Sequence, residues 1–286
     1  MTMDQAGVFL RCTGKQDPRE ALEAVKSIGL RMVQVSKLPD RFYTPSGALE
    51  FKQLLESTGT RATAVVAVFD GESYRDLEAV RSTVGFRPAE SVDVRVAYAR
   101  KCVDFASAIN VKIVTFHVGV LPQDPADPMY QRMLKATADI AEYARGKGVQ
   151  ISLETGQETA AELASFIDSI KVAPVRVNFD MANLVLYGRD DPPKALRVLL
   201  PRVTSVHVKD GNLPADSGKL GAEARLGEGK AGVAACLRIL QEAGFQGPLI
   251  IENYMARTGT EPLAELRTAK EFIERTLAGL APPGLR

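Results

Sequence analysis

The pattern of a strand, a helix and a second strand runs through residues Gln150–Asp180, QISLETGQETAAELASFIDSIKVAPVRVNFD. Its two ends, Gln150–Glu154 and Val175–Asp180, are short runs rich in apolar and β-branched residues, which predict strands. Between them, Ala160–Ile170 carries apolar residues at helical spacing. Two strands joined by a helix are predicted to pair in parallel, because a tight turn cannot reach a parallel partner.

Strand-like runs of this kind recur eight times in the 286 residues, about once every 36 residues, which is the length of one strand–helix unit. The predicted strands are Val8–Leu10, Met32–Ser36, Ala62–Phe69, Val111–Val118, Gln150–Glu154, Val175–Asp180, Val203–Val208 and Leu249–Glu252. The predicted helices are Pro18–Ile28, Ser46–Ser57, Glu90–Ile109, Asp127–Lys147, Ala160–Ile170, Pro192–Leu200, Gly232–Ala243 and Leu263–Leu280.

Eight such units without a change in composition predict an α/β fold, a single (β/α)8 TIM barrel over residues 1–286 with its active site at the C-terminal ends of the strands. The last residues, APPGLR at 281–286, are expected to form a frayed tail. A doubly wound open sheet is the alternative, but it requires a glycine-rich phosphate-binding turn after an early strand. The G-x-G match at Gly227–Gly229 follows no predicted strand directly and lacks the remaining glycine of that motif.

Charge is nearly balanced, with 36 Lys and Arg against 35 Asp and Glu, so there is no electrostatic reason to expect a nucleic-acid or membrane partner. Cys12, Cys102 and Cys236 are widely spaced, which fits a reducing compartment. The N-terminal residues MTMDQAGVFLRCTG have no secretory pattern, and no apolar run approaches the roughly 20 residues that span a bilayer. A cytoplasmic protein is expected, and homo-oligomer formation is left open.

Four neighbouring predicted strands each end on a residue type that binds metal ions: Glu154, Asp180, His207 and Glu252. In a barrel these ends lie at one level, so the side chains are expected to converge. Three converging carboxylates would repel one another and take up protons unless a cation lay between them. Three oxygens and one imidazole nitrogen suit one divalent cation, Mn²⁺ first and then Co²⁺, Mg²⁺ or Zn²⁺. Taken singly, each residue would instead be interpreted as a helix cap or a core polar group.

Further residues near the predicted strand ends are candidates for contact with a substrate. His117 ends the fourth strand and either contacts a substrate hydroxyl or belongs to the core. Lys209 lies two residues beyond His207, on the same side of the strand, where it would bind an oxyanion, pair with a ligand carboxylate or remain solvated. Glu158 is interpreted as a first-turn acid of the next helix. The aromatic residues expected in the pocket wall or the core are Phe69, Phe116 and Tyr254.

Five motifs of residues 150–254 resemble, in order and spacing, the xylose-isomerase-like barrel superfamily, the sugar phosphate isomerase and epimerase group. They are ISLET at 151–155, NFDMAN at 178–183, HVKDG at 207–211, RLGEG at 225–229 and GPLIIENY at 247–254. The first half of the chain resembles that group only in its alternation of predicted strands and helices.

The resemblance implies that Glu154, Asp180, His207 and Glu252 are the metal ligands, and that the two glutamates also serve as acid and base on opposite faces of the substrate. It further implies that Arg225 lies in a loop near the substrate. Such enzymes often have a histidine three residues after the aspartate. This chain has Asn183 there, so the substrate oxygen held at that position is expected to differ.

Residues and resemblance together predict a metal-dependent isomerase or epimerase of a sugar or related polyol, acting by proton abstraction next to a carbonyl with a metal-stabilised enediolate. Loss of a β-substituent would instead make the protein a dehydratase or lyase of a keto sugar, keto-inositol or 3-keto-glycoside. A nonenzymatic binding barrel is a further alternative. An apurinic-site endonuclease of the same superfamily is rejected, because its three-metal site uses many histidines and this chain has His117 and His207 alone.

Overall fold

Ten strands occur in the computed structural model, which describes residues 1–216, 218–254 and 259–280. In chain order they are β1 (Ala6–Phe9), β2 (Met32–Ser36), β3 (Arg61–Val66), β4 (Ile113–Phe116), β5 (Gln150–Glu154), β6 (Val175–Asp180), β7 (Val203–Val208), β8 (Asp210–Gly211), β9 (Glu223–Ala224) and β10 (Leu249–Ile251). Eight of them pair in parallel in the order β1-β10-β7-β6-β5-β4-β3-β2 and close into a barrel. Strands β8 and β9 form a separate antiparallel hairpin. The predicted (β/α)8 barrel is therefore confirmed.

Helices cover the outside of this barrel. They are α1 (Pro18–Ser27), α2 (Pro45–Thr58), α3 (Leu77–Thr83), α4 (Val92–Ala108), α5 (Pro128–Gly146), α6 (Ala160–Ser169), α7 (Met181–Leu186), α8 (Pro192–Leu199), α9 (Val233–Glu242) and α10 (Pro262–Leu280). The short helices α3 and α7 and the β8–β9 hairpin are absent from the sequence prediction. All three follow barrel strands at their C-terminal ends, where additional segments in a barrel build the site.

Two predicted strands end two or more residues earlier in the structure than the apolar pattern indicates, and β1 and β10 end one residue earlier. The prediction extends β3 to Phe69 and β4 to Val118, whereas they end at Val66 and Phe116. Beyond those ends, Ala67 and Phe69 are buried in the wall of a cavity, and Val118 is buried in the hydrophobic core. An apolar run alone does not distinguish a buried strand from a buried loop.

Strand register sets the relative positions of the predicted ligands. On β6 and β7, Asp180 lies opposite His207. On β5 and β6, Glu154 lies opposite Asn178. Glu252 directly follows β10, which pairs with the other edge of β7. The four residues consequently reach the same end of the barrel.

The start of α6 corrects one expectation. The Thr159 hydroxyl accepts the backbone N–H of Glu162 at 3.2 Å, and the Glu162 carboxylate accepts that of Thr159 at 2.7 Å. This reciprocal capping begins the helix at Ala160. The placement of Glu158 in the first helical turn is therefore wrong: it precedes the cap and is buried, with 2% of its surface exposed.

Among the described residues, no helix combines the length and the apolar character needed to cross a membrane. The expected frayed tail at 281–286 lies outside the part of the chain that the structure describes.

Candidate metal centre

Four side chains meet at the C-terminal end of the barrel. Glu154, Asp180 and His207 are the last or next-to-last residues of β5, β6 and β7, and Glu252 follows β10. Each offers one ligand atom, and these atoms all lie within 4.8 Å of one another. All four residues are buried. The structure thus brings together the four residues in which the sequence places the metal ligands.

The Nδ1 atom of His207 lies at the centre of this cluster. It is 3.1 Å from Glu252 Oε2, 3.2 Å from Glu154 Oε1 and 3.6 Å from Asp180 Oδ2. Neither Nδ1 nor Asp180 Oδ2 has a well-formed hydrogen bond to any described residue. Buried polar atoms are rarely left unpaired, and a cation bound by these atoms would satisfy both. The donor set therefore fits a divalent metal ion.

The other ring nitrogen of His207 is held by polar groups inside the barrel. Its shortest contact runs from Nε2 to Gln34 Oε1, an acceptor, at 2.7 Å, and Asn178 Nδ2 lies 3.1 Å from the same ring nitrogen. The Gln34 amide nitrogen in turn donates to the Ser205 hydroxyl at 2.8 Å. An acceptor at Nε2 keeps the proton on that nitrogen, so the lone pair of a neutral ring stays on Nδ1, facing the carboxylates.

Lys209 is buried beside the same carboxylates. Its Nζ donates to Glu252 Oε2 at 3.2 Å and to Asn183 Oδ1 at 3.3 Å. It also lies 3.5 Å from Asp180 Oδ2 and 3.8 Å from Glu223 Oε1. Of the three alternatives that the sequence leaves open for Lys209, the structure shows pairing with ligand carboxylates.

Interactions between opposite charges outweigh burial in setting the pKa values of Glu252 and His207. Burial alone would raise the pKa of Glu252, but the Lys209 ammonium and the His207 imidazole hold it well below its usual value. Burial lowers the pKa of His207, but the Glu154 and Glu252 carboxylates raise it well above its usual value. Without a metal ion, a protonated imidazole and an ammonium group therefore offset part of the negative charge of the carboxylates, and burial raises the pKa of the third, Asp180. Metal binding to Nδ1 requires loss of the imidazole proton, so affinity must depend on pH.

Two further predicted residues lie against Glu154. The Asn183 side-chain amide donates to Glu154 Oε1 at 3.3 Å and to the carbonyl of Thr155 at 3.1 Å. Asp180 fixes Asn183 by accepting its backbone N–H at 2.8 Å, as the N-cap of α7. His117 Nε2 lies 3.5 Å from Glu154 Oε1, directly after the end of β4. Both residues line the cavity described next.

A cavity of about 800 Å³ opens above Glu154, His207 and Glu252, and Asp180 lies beneath its lining. Its wall includes the three aromatic residues expected from the sequence, Phe69, Phe116 and Tyr254. A volume of this size falls within the range of small-molecule sites and admits a carbohydrate. The cavity gives a substrate access to the carboxylates and to Lys209.

Arg225 does not belong to this arrangement. Its guanidinium forms a bidentate ion pair with Glu265, at 2.7 and 3.1 Å, and it is absent from the described residues that line the cavity. The β8–β9 hairpin, whose second strand ends directly before the RLGEG motif, places Glu223 in the cavity wall instead. We therefore leave Arg225 out of the proposed site.

Three residues that the sequence interpretation missed support the centre. Gln34 binds His207, and Glu223 lies beside Lys209, as described above. Asp210 accepts four backbone N–H groups, those of Gly211, Gly227, Gly229 and Ala231, at 2.8–3.0 Å. Asp210 belongs to the HVKDG motif in the sequence. Its function as an acceptor of backbone N–H groups could not be predicted, because most of these groups belong to a loop 17 to 21 positions away.

A model of the xylose isomerase-like TIM barrel family matches residues 22–276. A curated inosose dehydratase from Serratia proteamaculans (strain 568) is 25% identical over 179 residues, which are 55% of this chain and 59% of that protein. A second, from Bacillus cereus, is 28% identical over 157 residues, which are 49% of this chain and 52% of that protein. The chain thus spans little more than half the length of these curated relatives.

A solved structure of a xylose isomerase domain protein from Planctomyces limnophilus is 32% identical, with a TM-score of 0.84 over 91% of this chain and 92% of that one. A solved L-ribulose 3-epimerase is 16% identical, with a TM-score of 0.69 over 96% of this chain and 94% of that one. The second likeness shows the fold alone.

Proposed function

The chain belongs to the xylose isomerase-like TIM barrel family, and from that premise we propose that it is a divalent-metal-dependent enzyme that removes a proton next to the carbonyl of a sugar or related polyol. One observation carries this proposal: His207 Nδ1, without a hydrogen bond to any described residue, faces three carboxylates, two of which border a carbohydrate-sized cavity. Return of the proton to the other face or to the neighbouring carbon would make the protein an epimerase or isomerase, the activity we favour.

Glu154, Asp180, His207 and Glu252 would hold one divalent cation. Three carboxylates and one imidazole form a mostly hard donor set, for which we favour Mn²⁺ over Co²⁺, Mg²⁺ and Zn²⁺. A cation held there supplies Lewis-acid stabilisation of the negative charge that develops on the carbonyl oxygen of the substrate.

Glu154 and Glu252 are proposed as base and acid. Their strands, β5 and β10, are separated in the barrel by β6 and β7, so their carboxylates approach the cavity from two directions. One glutamate, as the carboxylate, would therefore remove a proton from one side of the substrate, and the other, as the protonated acid, would deliver its own proton from a different side. This arrangement supports inversion at a carbon next to the carbonyl.

The remaining polar groups would hold the substrate. Lys209 has four acceptor groups within 3.8 Å for its three N–H bonds, so a substrate oxygen can replace one of them. His117 and Asn183 both border Glu154 and the cavity, where they would contact substrate hydroxyls. These contacts would orient the C–H bond toward a glutamate.

A dehydratase or lyase activity is the second candidate. The curated relatives named inosose dehydratase favour it, at 25% and 28% identity over about half of the chain. Glu223 and Lys209 also favour it, because they place a carboxylate and an ammonium group in the cavity wall outside the four-residue cluster. Such groups suit protonation of a leaving hydroxyl in an elimination.

Deuterium exchange tests the proposal. The Mn²⁺-loaded protein is incubated in D₂O with a panel of ketoses and a keto-inositol, and products are followed by NMR. We expect deuterium to be incorporated at a carbon next to the carbonyl. Incorporation should be lost when the metal is removed by a chelator and in the variants Glu154→Gln and Glu252→Gln. It should be retained in Glu142→Gln, a control change on the exposed face of α5. An epimer or isomer would support the first candidate, and loss of water the second. Exchange that persists in both glutamate variants would overturn both.

A further inference from the structure

A second cavity, of about 400 Å³, lies beside the cavity of the candidate metal centre. Arg11, Lys37 and Tyr254 line both cavities. The ring centroid of Tyr254 is 5.8 Å from Lys209 Nζ and 6.4 Å from the ring centroid of Phe9, which packs at 6.0 Å against His207. The ring of Tyr254 therefore lies between the candidate metal centre and the second cavity, and the two cavities adjoin at the three residues that they share.

The charges of the second cavity are all positive. Its cations are Arg11, Lys15 and Lys37, and the described residues that line it include no Asp or Glu. Lys37 pairs with Asp70, which belongs to the wall of the first cavity. Arg11 and Lys15 have no ion pair with any carboxylate in the described part of the chain. Two cations thus remain available to a ligand.

The wall of the second cavity has two unusual features at Ser36 and Lys37. Ser36 is buried, and its hydroxyl has no hydrogen-bonding partner among the described residues. Lys37, the next residue, has a left-handed backbone with φ of 49°. Non-glycine residues in this conformation are strained and cluster at functional sites. An unpaired hydroxyl and a strained backbone therefore adjoin the two available cations.

We propose that the second cavity is a subsite for an anionic group, a phosphate monoester or a carboxylate, carried by the substrate at the end remote from the reacting carbonyl. The guanidinium of Arg11 offers paired N–H groups to two oxygens, and Lys15 adds a point charge. The substrate would then be an acidic sugar or polyol. This assignment rests on the proposed function for the chemistry of the first cavity, but anion binding itself requires no turnover.

Calorimetry on the full chain tests the subsite without a substrate. The ligands are ribitol, ribitol 5-phosphate and ribonate, which have no aldehyde or ketone group to be turned over, together with inorganic phosphate on the metal-free protein. We expect at least one anionic polyol to bind about tenfold or more tightly than ribitol, as a charge-assisted contact provides. Arg11→Gln combined with Lys15→Gln should abolish the difference. Preference for ribitol 5-phosphate or ribonate identifies the anion.

Lys112→Gln combined with Lys171→Gln is the matched control. It also removes two positive charges, but from exposed positions preceding β4 and β6, at the opposite end of the barrel. Equal binding of ribitol and both anions would overturn the proposal, and so would an equal loss in the control pair. Phosphate binding by the metal-free protein separates this result from the proposed function. If phosphate binds but no deuterium exchanges, the proposed function is contradicted and the anion subsite is supported. If deuterium exchanges but no anion binds, the proposed function is supported and the anion subsite is contradicted.

Discussion

Gln34 Oε1 lies 2.7 Å from Nε2 of His207, and both side chains are buried inside the barrel. The two residues come from β2 and β7, on either side of β1 and β10 in the strand order. The bond directs Nδ1, on the other side of the ring, toward the three carboxylates. Gln34 is thus a positioning residue for the proposed metal ligand.

Replacing the acceptor should weaken metal binding. Gln34→Met keeps the length of the side chain but removes the oxygen, so His207 loses its orienting partner. We expect Mn²⁺ affinity to fall about 10- to 100-fold by calorimetry, as is typical when such a partner is lost. Gln34→Glu keeps an acceptor and should restore most of the affinity. Ser152→Ala, which removes a buried hydroxyl bonded to Thr204, controls for a general loss of stability. Wild-type affinity in Gln34→Met would contradict this function of Gln34.

Removing the Lys209 charge should have the opposite effect on metal affinity. Lys209 Nζ and His207 Nδ1 contact the same oxygens, Glu252 Oε2 and Asp180 Oδ2. In Lys209→Met, a bound cation no longer faces a fixed positive charge a few ångströms away, so Mn²⁺ affinity should rise about tenfold or more. The metal-free protein should lose about 3 kcal/mol of unfolding free energy, because buried carboxylates lose a partner.

Titration of Mn²⁺ into Lys209→Met and Lys209→Arg checks this prediction, since Arg keeps the charge. Weaker Mn²⁺ binding by Lys209→Met than by the wild type would show that Lys209 supports the cation rather than competing with it.

The sequence predicts those residues of the candidate metal centre that stand where an apolar strand ends on a charged residue. Strands β5, β6 and β7 have the predicted bounds, because Glu154, Asp180 and the HVKD sequence interrupt apolar runs at the edge of the sheet. Strands β3 and β4 were predicted too long, because the apolar residues that follow them continue the same pattern into the cavity wall.

The supporting residues could not be found from local patterns. Gln34 is 173 positions from His207 and lies in the half of the chain without motifs. The β8–β9 hairpin has only two residues in each strand, too few for a period-2 pattern, so the place of Glu223 beside Lys209 was not predictable. Arg225 has a place in a motif, but its ion pair with Glu265, 40 positions away, directs it elsewhere.

Asp210 should be a major determinant of stability. Its carboxylate accepts four backbone N–H groups, and three of them belong to residues 227–231. Asp210→Ala leaves these donors without an acceptor, so urea denaturation should show a loss of about 3 kcal/mol or more. Asp139→Ala, which removes an exposed partner of Lys135, should change stability by less than about 1 kcal/mol. Similar losses in the two variants would refute this function of Asp210.

Glu158 should make stability depend on pH. Burial raises its pKa from 4.5 to about 8. Between these values the unfolded chain is ionised at this position and the folded chain is not, so unfolding releases a proton. The contribution of the protonated Glu158 to the free energy of unfolding is therefore complete below pH 4.5 and is lost as pH rises through 8. In that interval the free energy of unfolding falls by about 1.4 kcal/mol per pH unit. Urea denaturation from pH 5 to 8.5 should show this slope in the wild type and a reduced one in Glu158→Gln. The exposed change Glu142→Gln should leave it unaltered, and identical slopes in all three proteins would contradict the prediction.

The stoichiometry of metal binding tests the central claim most directly. Mn²⁺ is titrated calorimetrically into chelator-treated wild-type protein and into Asp180→Asn and His207→Asn, each checked for folding by circular dichroism. The four-residue centre predicts one ion per wild-type chain, with binding lost or weakened by orders of magnitude in both folded variants. Absence of Mn²⁺, Co²⁺, Mg²⁺ and Zn²⁺ binding by the wild type, or unchanged binding in the variants, would contradict it.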